Sequence, residues 1–306
     1  MTLPFSIIIP THDRPSALEK CLASLARLNY PSEAFEVIVV DDGSTLPIHP
    51  PLGPLGSQLQ IRLLRQENSG PAKARNSGAA VARGDWLVFL DDDCEPSPGW
   101  LEAFDAARPC ADELLGGMTL NGLHGNPYSR GSQQLLDYLY KYFFKGLSPF
   151  RFFASNNIAV AAARFRGMGG FDPRFSLAAG EDRDFCYRWL QSGGRLTQIP
   201  GAIVTHCHFL SLASFLRQQF NYGRGGATYD WLRTQQGANR LRLQPVSFYA
   251  NMLGFPWRTE SGWNALVGSV LLLLSQVVNA VGFLRQAIQQ SVRHRDRACG
   301  PDQSRR

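Results

Sequence analysis

The chain has 306 residues, of which 44% are hydrophobic, so it can bury the core of one large domain or two small ones. Its formal net charge of +6 comes from 31 Lys and Arg residues against 25 Asp and Glu residues. The basic residues are dispersed except near the C-terminus, which argues against a nucleic-acid partner and favours a membrane surface.

The six cysteines lie far apart and form no C-x-x-C pair, which predicts unpaired thiols in a reducing compartment rather than a disulfide framework. The N-terminus passes directly from Met1 into an apolar run and shows no basic region or cleavage site of a signal peptide. We therefore expect this part of the chain to be cytoplasmic. The cysteines are Cys21, Cys94, Cys110, Cys186, Cys207 and Cys299.

Three short apolar runs, residues 5–9, 35–40 and 86–90, alternate with helical patterns. Leucines recur at helical spacing between the first two runs, after a proline that suits a helix start. This alternation predicts a β-α-β unit and a parallel α/β sheet.

The segment 47–54 is too rich in proline for regular structure and predicts a surface loop. A strand at residues 59–64 and a helix at residues 71–82 are expected to follow it. From residue 98 the pattern is mixed, which indicates insertions around a binding cleft.

The C-terminal third changes character, because residues 264–284 contain no charged side chain and arginines accumulate after them. A run of about 20 apolar residues is long enough to cross a bilayer, although a buried helix of a soluble domain has the same composition. Gln276 and Asn279 interrupt the run. A single span from a cytoplasmic domain would also carry the arginine-rich tail outward, against the usual charge bias. We expect membrane association, and an in-plane helix or a hairpin avoids this conflict.

Three consecutive carboxylates, Asp91, Asp92 and Asp93, follow the third apolar run. Adjacent anions at the end of a buried strand need a cation, backbone N–H donors or water. They therefore predict either a divalent metal that carries phosphate oxygens or a solvated acidic turn.

A second pair of carboxylates, Asp41 and Asp42, follows the second apolar run, and ligands of open α/β sheets bind at such strand ends. Residues 68–78 then place Lys73 and Arg75 near a helix start, which suits contact with a nucleotide or diphosphate. Each motif alone is also typical of an ordinary turn or a solvated helix face. Their order along the chain, each at a strand end or a helix start, is unusual.

Seven segments, in their order along the chain, resemble the motifs of glycosyltransferase family 2. The members of this family are inverting enzymes that use nucleotide sugars. The resemblance extends to about residue 225 and implies an α/β GT-A (nucleotide-diphospho-sugar transferase) fold. Such a fold has a mostly parallel central sheet flanked by helices, to which this chain adds a C-terminal apolar helical segment. The segments are residues 6–14, 39–44, 70–78, 89–93, 156–157, 169–172 and 180–188.

The resemblance implies a nucleotide-sugar site in which Asp42 bonds the base, Asp92 lies near the ribose and Arg75 contacts the nucleotide, with Lys73 sharing that task. The other residues that the resemblance assigns to this site are Pro10, Thr11, His12, Arg14, Asn156, Asn157 and Gly170.

The resemblance also implies a divalent metal, Mn²⁺ or Mg²⁺, at Asp93, with Asp91 ordering the loop as a second candidate ligand. His206 and His208 alternate onto one side of an expected strand, so that one can reach the diphosphate or its metal while the other is structural. A separate zinc site at this tripeptide is disfavoured. Cys94 departs from the family pattern, in which another acid often stands, and leaves the metal identity open.

Asp182 occupies the family's position for the base that takes the proton of the acceptor hydroxyl, and Glu181 would orient the acceptor or the loop. Acids at this place are also favoured by a helix dipole alone. Residues 217–225 resemble the segment that closes the acceptor side, although their aromatic side chains equally suit packing.

We therefore expect transfer of a sugar from a nucleotide-diphosphate sugar to an acceptor hydroxyl in a polysaccharide, glycolipid or other cell-envelope glycan. The alternatives are a nucleotidyltransferase, for which no basic triphosphate loop is evident, and a non-catalytic nucleotide-sugar-binding protein at a membrane. The expected location is the cytoplasmic face of the membrane. The expected domains are residues 1–230 (nucleotide-binding half about 1–97, acceptor half about 98–230), a linker or helical extension 231–261, an apolar, membrane-associated helix 262–292 and a basic flexible tail 293–306.

Overall fold

The computed structural model describes residues 3–48, 58–107, 110–145 and 151–298, and among these it leaves out the side chains of residue 3 and residues 293–298. Most of the predicted proline-rich loop, Cys299 and the end of the basic tail lie outside the described residues. The chain forms two compact units, Met1–Leu210 and Ser211–Arg306.

The first unit contains an eight-stranded sheet with the strand order β3-β2-β1-β4-β7-β6-β8-β5. The strands are β1 (Leu3–Thr11), β2 (Phe35–Asp42), β3 (Ile61–Gln66), β4 (Gly84–Leu90), β5 (Cys94–Pro96), β6 (Glu113–Asn121), β7 (Asn157–Ala161) and β8 (Arg195–His206). The helices are α1 (Pro15–Leu25), α2 (Pro71–Val81), α3 (Trp100–Ala106), α4 (Pro127–Phe143), α5 (Ala162–Gly167) and α6 (Glu181–Gln191).

The first four strands of the sheet are parallel, which confirms the predicted α/β architecture. Their carboxyl ends therefore meet at one edge, where Thr11 lies opposite Asp41. The other half of the sheet is mixed, because β7 runs antiparallel to both β4 and β6. The strand expected at residues 59–64 forms two residues later, and the helix expected at 71–82 ends at Val81.

Every residue of β2 is buried, because helices cover both faces of the sheet. Leu22 of α1 and Trp100 of α3 belong to the core on one face, while Phe165 of α5 and Trp189 of α6 belong to the core on the other. A strand buried on both faces requires a continuous apolar run rather than an alternating one. The three apolar runs of the sequence have this pattern.

The second unit consists of helices α7 (Leu212–Gln235), α8 (Val246–Leu253) and α9 (Gly262–Ala298). A capping box between Ser211 and Ser214 fixes the start of α7. Within α9, the stretch Gly262–Val292 is long and apolar enough to cross a membrane, a criterion that core helices of soluble proteins also meet.

Candidate active site

The acidic turn lies between two strands that hold it against the end of β8. β5 begins directly after Asp93 and pairs with β8 in antiparallel fashion, so that Cys94 lies opposite His206. The backbone N–H of Cys207 also donates to the carbonyl oxygen of Asp93 at 2.8 Å. This register brings the two histidines to the acidic turn.

Asp93 is the centre of this cluster. Its Oδ2 lies 2.7 Å from Nδ1 of His208 and also accepts a hydrogen bond from Arg14, and its Oδ1 lies 3.2 Å from Nε2 of His206. Burial alone would raise the pKa of Asp93, but the two histidines and Arg14 hold it well below its usual range. Asp93 is therefore an ionised, buried carboxylate.

Asp93, His206 and His208 each offer one ligand atom, and the three atoms lie within 4.8 Å of one another. Among the described residues, Oδ1 of Asp93 is buried and accepts no hydrogen bond. Carboxylate oxygens suit Mn²⁺ and imidazole nitrogens suit transition metals in general, so this mixed set is compatible with a divalent transition-metal cation such as Mn²⁺. The residues present thus fit a metal. The sequence led us to expect one histidine near the metal, and in the structure both histidines contact Asp93. Asp91, the second ligand expected from the sequence, is not in this group.

Asp92 joins the end of β4 to the end of β1. Its Oδ2 accepts a hydrogen bond from Oγ1 of Thr11 at 2.7 Å, and its Oδ1 accepts one from Arg14 at 2.7 Å. Arg14 therefore spans both Asp92 and Asp93. Burial raises the pKa of Asp92 to about 7, although Arg14 opposes that shift. The structure thus brings together Thr11, Arg14 and Asp92, with Pro10 preceding them in β1.

Asp42 organises the neighbouring turn. Its Oδ1 accepts hydrogen bonds from the Gln66 side chain at 2.7 Å and the Ser69 N–H at 2.9 Å, and its Oδ2 accepts one from the Gly70 N–H at 2.8 Å. Gly70 has a φ of 89°, a left-handed conformation that favours glycine. Nδ1 of His12 lies 3.0 Å from the Asp42 carbonyl oxygen. The segment 68–78 indicated by the sequence includes Ser69, whereas nothing in the sequence indicated Gln66.

Arg75 connects the acidic turn to the start of α6. Its guanidinium is buried, with one nitrogen 2.6 Å from Oδ1 of Asp91 and another 3.1 Å from Oε1 of Glu181. The sequence assigned Arg75 to the nucleotide, and the structure places it between two carboxylates. A buried cation that links two anions positions both of them.

Asp182 and Glu181 begin α6, after Gly180 in a left-handed conformation. Glu181 is buried, whereas Asp182 is partly exposed, and its Oδ1 accepts a hydrogen bond from the Arg183 N–H at 2.7 Å. Loss of hydration raises the pKa of both carboxyl groups. Of the two, Asp182 offers the more accessible carboxylate.

The remaining residues expected at the site have different surroundings. Asn157 accepts a hydrogen bond from Trp100 and donates to backbone carbonyls of β6 and β8. Its side-chain amide therefore links structural elements of the first unit. Asn156 accepts a hydrogen bond from Thr119. Gly170 has a φ of 66°, and a Cβ there would lie 2.5 Å from Oδ1 of Asn76, which only glycine avoids.

Comparison with known proteins places this geometry in context. The chain is 31% identical over 234 residues to a pre-mycofactocin glycosyltransferase of Mycobacterium tuberculosis, covering 72% of this chain and 46% of that protein. It is 31% identical over 237 residues to a hyaluronan synthase of Pasteurella multocida, covering 66% of this chain and 24% of that protein. The chain thus spans less than half the length of these relatives.

Two solved structures share the fold at low sequence identity. TarS residues 1–349 from S. aureus superpose with a TM-score of 0.55 at 18% identity, covering 94% of this chain and 91% of that one. The mannosyltransferase PcManGT of Pyrobaculum calidifontis gives a TM-score of 0.57 at 16% identity, covering 98% and 82%. The GT-A fold expected from the sequence is confirmed. Residues 6–163 match the model of glycosyl transferase family 2, just over half of the chain, and the chain therefore belongs to that family.

Proposed function

We propose that the protein transfers a sugar from a nucleotide-diphosphate sugar to an acceptor hydroxyl with inversion at the anomeric carbon. The observation that carries this proposal is the bridge formed by Arg75. It links the acidic turn at the end of β4 to the carboxylates at the start of α6. A donor-binding edge and a candidate base are thereby joined in one unit.

On the donor side, we propose that Asp42, Asp92, Thr11, His12 and Arg14 bind the nucleotide, with Pro10, Asn156, Asn157 and Gly170 shaping the site. Arg14 already spans two carboxylates and has a partly exposed side chain, so it can also meet an anionic diphosphate. TarS has been solved with UDP-GlcNAc and PcManGT with GDP-Man and Mn²⁺. These structures support a pyrimidine or purine nucleoside diphosphate as the leaving group here.

Asp93, His206 and His208 would hold the divalent cation, Mn²⁺ or Mg²⁺, with Asp91 ordering the turn beside them. When bound there, the cation would neutralise negative charge on the departing diphosphate. Arg14 and His208 share Oδ2 of Asp93, whereas Oδ1 lies beside His206.

On the acceptor side, we propose that Asp182 takes the proton of the attacking hydroxyl. Its partly exposed carboxylate can reach a ligand, whereas buried Glu181 is held by Arg75 and positions the helix start. The acceptor class that we propose is a glycan or lipid-linked molecule of the cell envelope, handled at the cytoplasmic face of a membrane. The hyaluronan synthase relative, named for a polysaccharide, supports this choice.

A thermal-shift and turnover panel tests the donor site. Nucleoside diphosphates are expected to raise the melting temperature more with manganese than without it, because a cation held by Asp93, His206 and His208 would neutralise charge on the diphosphate. Asp93→Ala should lose the manganese increment, while Asp85→Ala, an exposed aspartate at the other end of β4, should keep it.

The same panel separates the alternatives. If Asp93→Ala keeps the manganese increment, the metal site is wrong. Binding of nucleotide sugars without turnover on a broad acceptor panel would favour a non-catalytic protein. Release of pyrophosphate from a nucleoside triphosphate would favour a nucleotidyltransferase.

The pH dependence of transfer tests the base. Asp182 must be ionised to accept a proton, and its pKa is raised by burial. Therefore kcat/KM for the acceptor is expected to fall as the pH decreases through this raised pKa, at a higher pH than the value of about 3.9 for an ordinary aspartate. A profile that stays flat down to about pH 4 would contradict the assignment.

A further inference from the structure

Helix α9 carries a solvent-facing surface that is entirely apolar over five turns. Between residues 266 and 284 no exposed side chain is polar, whereas Ser275 is buried and Gln276 and Asn279 are half-buried. This arrangement is the reverse of a helix on the surface of a water-soluble domain. The exposed residues are Leu266, Val270, Leu273, Val277, Ala280, Val281 and Leu284.

The larger side chains of this surface repeat every 11 residues. Eleven residues make slightly more than three helical turns, so the repeat keeps them on one side of a straight helix. We call this set the apolar stripe. It consists of Leu266, Val270, Leu273, Val277, Val281, Leu284, Ile288 and Val292, all of them exposed.

The opposite side of α9 packs on α7 through small and polar groups. A Cβ on Gly223 of α7 would come within 1.9 Å of the carbonyl oxygen of Asn279, so the two backbones are in close contact. Arg224 donates to Gln286 at 3.3 Å, and Gln290 donates to Thr228 at 3.3 Å. Close backbone packing and polar contacts therefore face α7, and the exposed side chains of the stripe face outward.

The net charge of the second unit indicates which kind of surface the apolar stripe contacts. Residues 211–306 contain 12 arginines, no lysine and four acidic residues, a net charge of +8, whereas residues 1–210 carry 19 basic and 21 acidic residues, a net charge of −2. An anionic lipid surface matches both the stripe and this charge. A second copy of the chain would bring one +8 unit against another, which disfavours dimerisation through the stripe.

We infer that α9 lies in the plane of an anionic lipid leaflet, with the apolar stripe at the boundary between headgroups and acyl chains and α7 on the side away from the lipid. Spanning is disfavoured because α7 carries Arg217, Arg224 and Asp230, and α9 would either lose its contacts with α7 or draw these charges into hydrocarbon. The inference rests on the proposed membrane association and adds its geometry and lipid class.

Vesicle flotation tests this inference with the full chain. The protein is expected to float with phosphatidylglycerol-containing vesicles, to float poorly with phosphatidylcholine vesicles, and to be released by about 1 M salt, where the Debye length is about 3 Å. Val277→Asp/Val281→Asp should weaken binding by roughly a hundredfold, because each lost valine is worth about tenfold in partition. Gln289→Asp adds a negative charge at an exposed polar position of α9 outside the stripe and should change binding only a few-fold, against about tenfold for Val281→Asp alone.

Circular dichroism and nucleotide-induced thermal shifts of each variant report whether it folds and keeps its donor site. Equal flotation with both vesicle types together with resistance to alkaline carbonate would show a spanning helix and overturn the in-plane geometry. A concentration-dependent dimer that Val277→Asp/Val281→Asp abolishes, without flotation, would assign the stripe to a second copy. A monomer that floats with neither vesicle type overturns the membrane proposal, while sugar transfer measured on the same sample would leave the proposed chemistry standing.

Discussion

Asp182→Asn is expected to lower kcat for sugar transfer by about 10²- to 10⁴-fold, the usual contribution of a general base. The amide has nearly the shape of the carboxylate and can still accept the hydrogen bond from the Arg183 N–H. It cannot take a proton from the acceptor. Binding of the nucleoside diphosphate, measured by thermal shift, should therefore be unchanged while turnover is lost.

Asp137→Asn is the matched control, since Asp137 is an exposed carboxylate on α4 with a hydrogen bond from Gln133. It should retain wild-type turnover. Glu181→Gln should reduce turnover less than Asp182→Asn, because Glu181 is buried and held by Arg75, which suits a positioning role. Full turnover in Asp182→Asn would show that another residue is the base.

Arg75→Met is expected to destabilise the first unit by about 3 to 5 kcal/mol, the typical cost of leaving one partner of a buried ion pair without the other. Both the Arg75 and the Glu181 side chains are only 4% exposed, whereas Asp91 is 30% exposed and can be hydrated. Most of the expected loss in the free energy of unfolding therefore comes from leaving the Glu181 carboxylate buried without a cation. Urea unfolding monitored by circular dichroism measures it.

Arg174→Met removes an exposed arginine from a pair with Asp172 and should cost less than about 1 kcal/mol. Adding Glu181→Gln to Arg75→Met should restore part of the stability, because the uncompensated buried charge is removed. Arg75 lowers the pKa of Glu181, so its removal should raise that pKa further, and the stability difference between the wild type and Arg75→Met should shrink as the pH falls and the folded variant takes up a proton. If Arg75→Met and Arg174→Met are equally stable, Arg75 does not bridge the two motifs.

The sheet edge at which these carboxylates meet could be predicted from the sequence because its signals are local. Apolar runs that end in Asp42 and in Asp91 define parallel strands, and parallel strands align their carboxyl ends at one edge. Strand direction in the other half of the sheet could not be predicted. The run at residues 157–161 is buried whether it pairs in parallel or antiparallel fashion, so its composition does not determine its direction.

The pairing of side chains across the site depends on tertiary structure. Nothing local to Arg75 distinguishes a nucleotide contact from a bridge between Asp91 and Glu181, since the choice depends on where α6 packs. His206 and His208 were candidate ligands because of their alternation. Both histidines contact Asp93 because β5 pairs with β8. A strand of only three residues has no recognisable sequence pattern, so this pairing could not be predicted.

The three-residue strand β5 also determines when the cluster of Asp93, His206 and His208 can form. It pairs Cys94 with His206, and the contacts around it join residues 115 and 194 positions apart in the chain. Contacts of such long sequence separation close late in folding, because the loop entropy must be lost before they contribute. During synthesis, more than a third of the chain must be added after Asp93 before His206 and His208 are both made. Completion of this cluster thus coincides with docking of the last strand, and metal or nucleotide binding is expected to report that the whole first unit has folded.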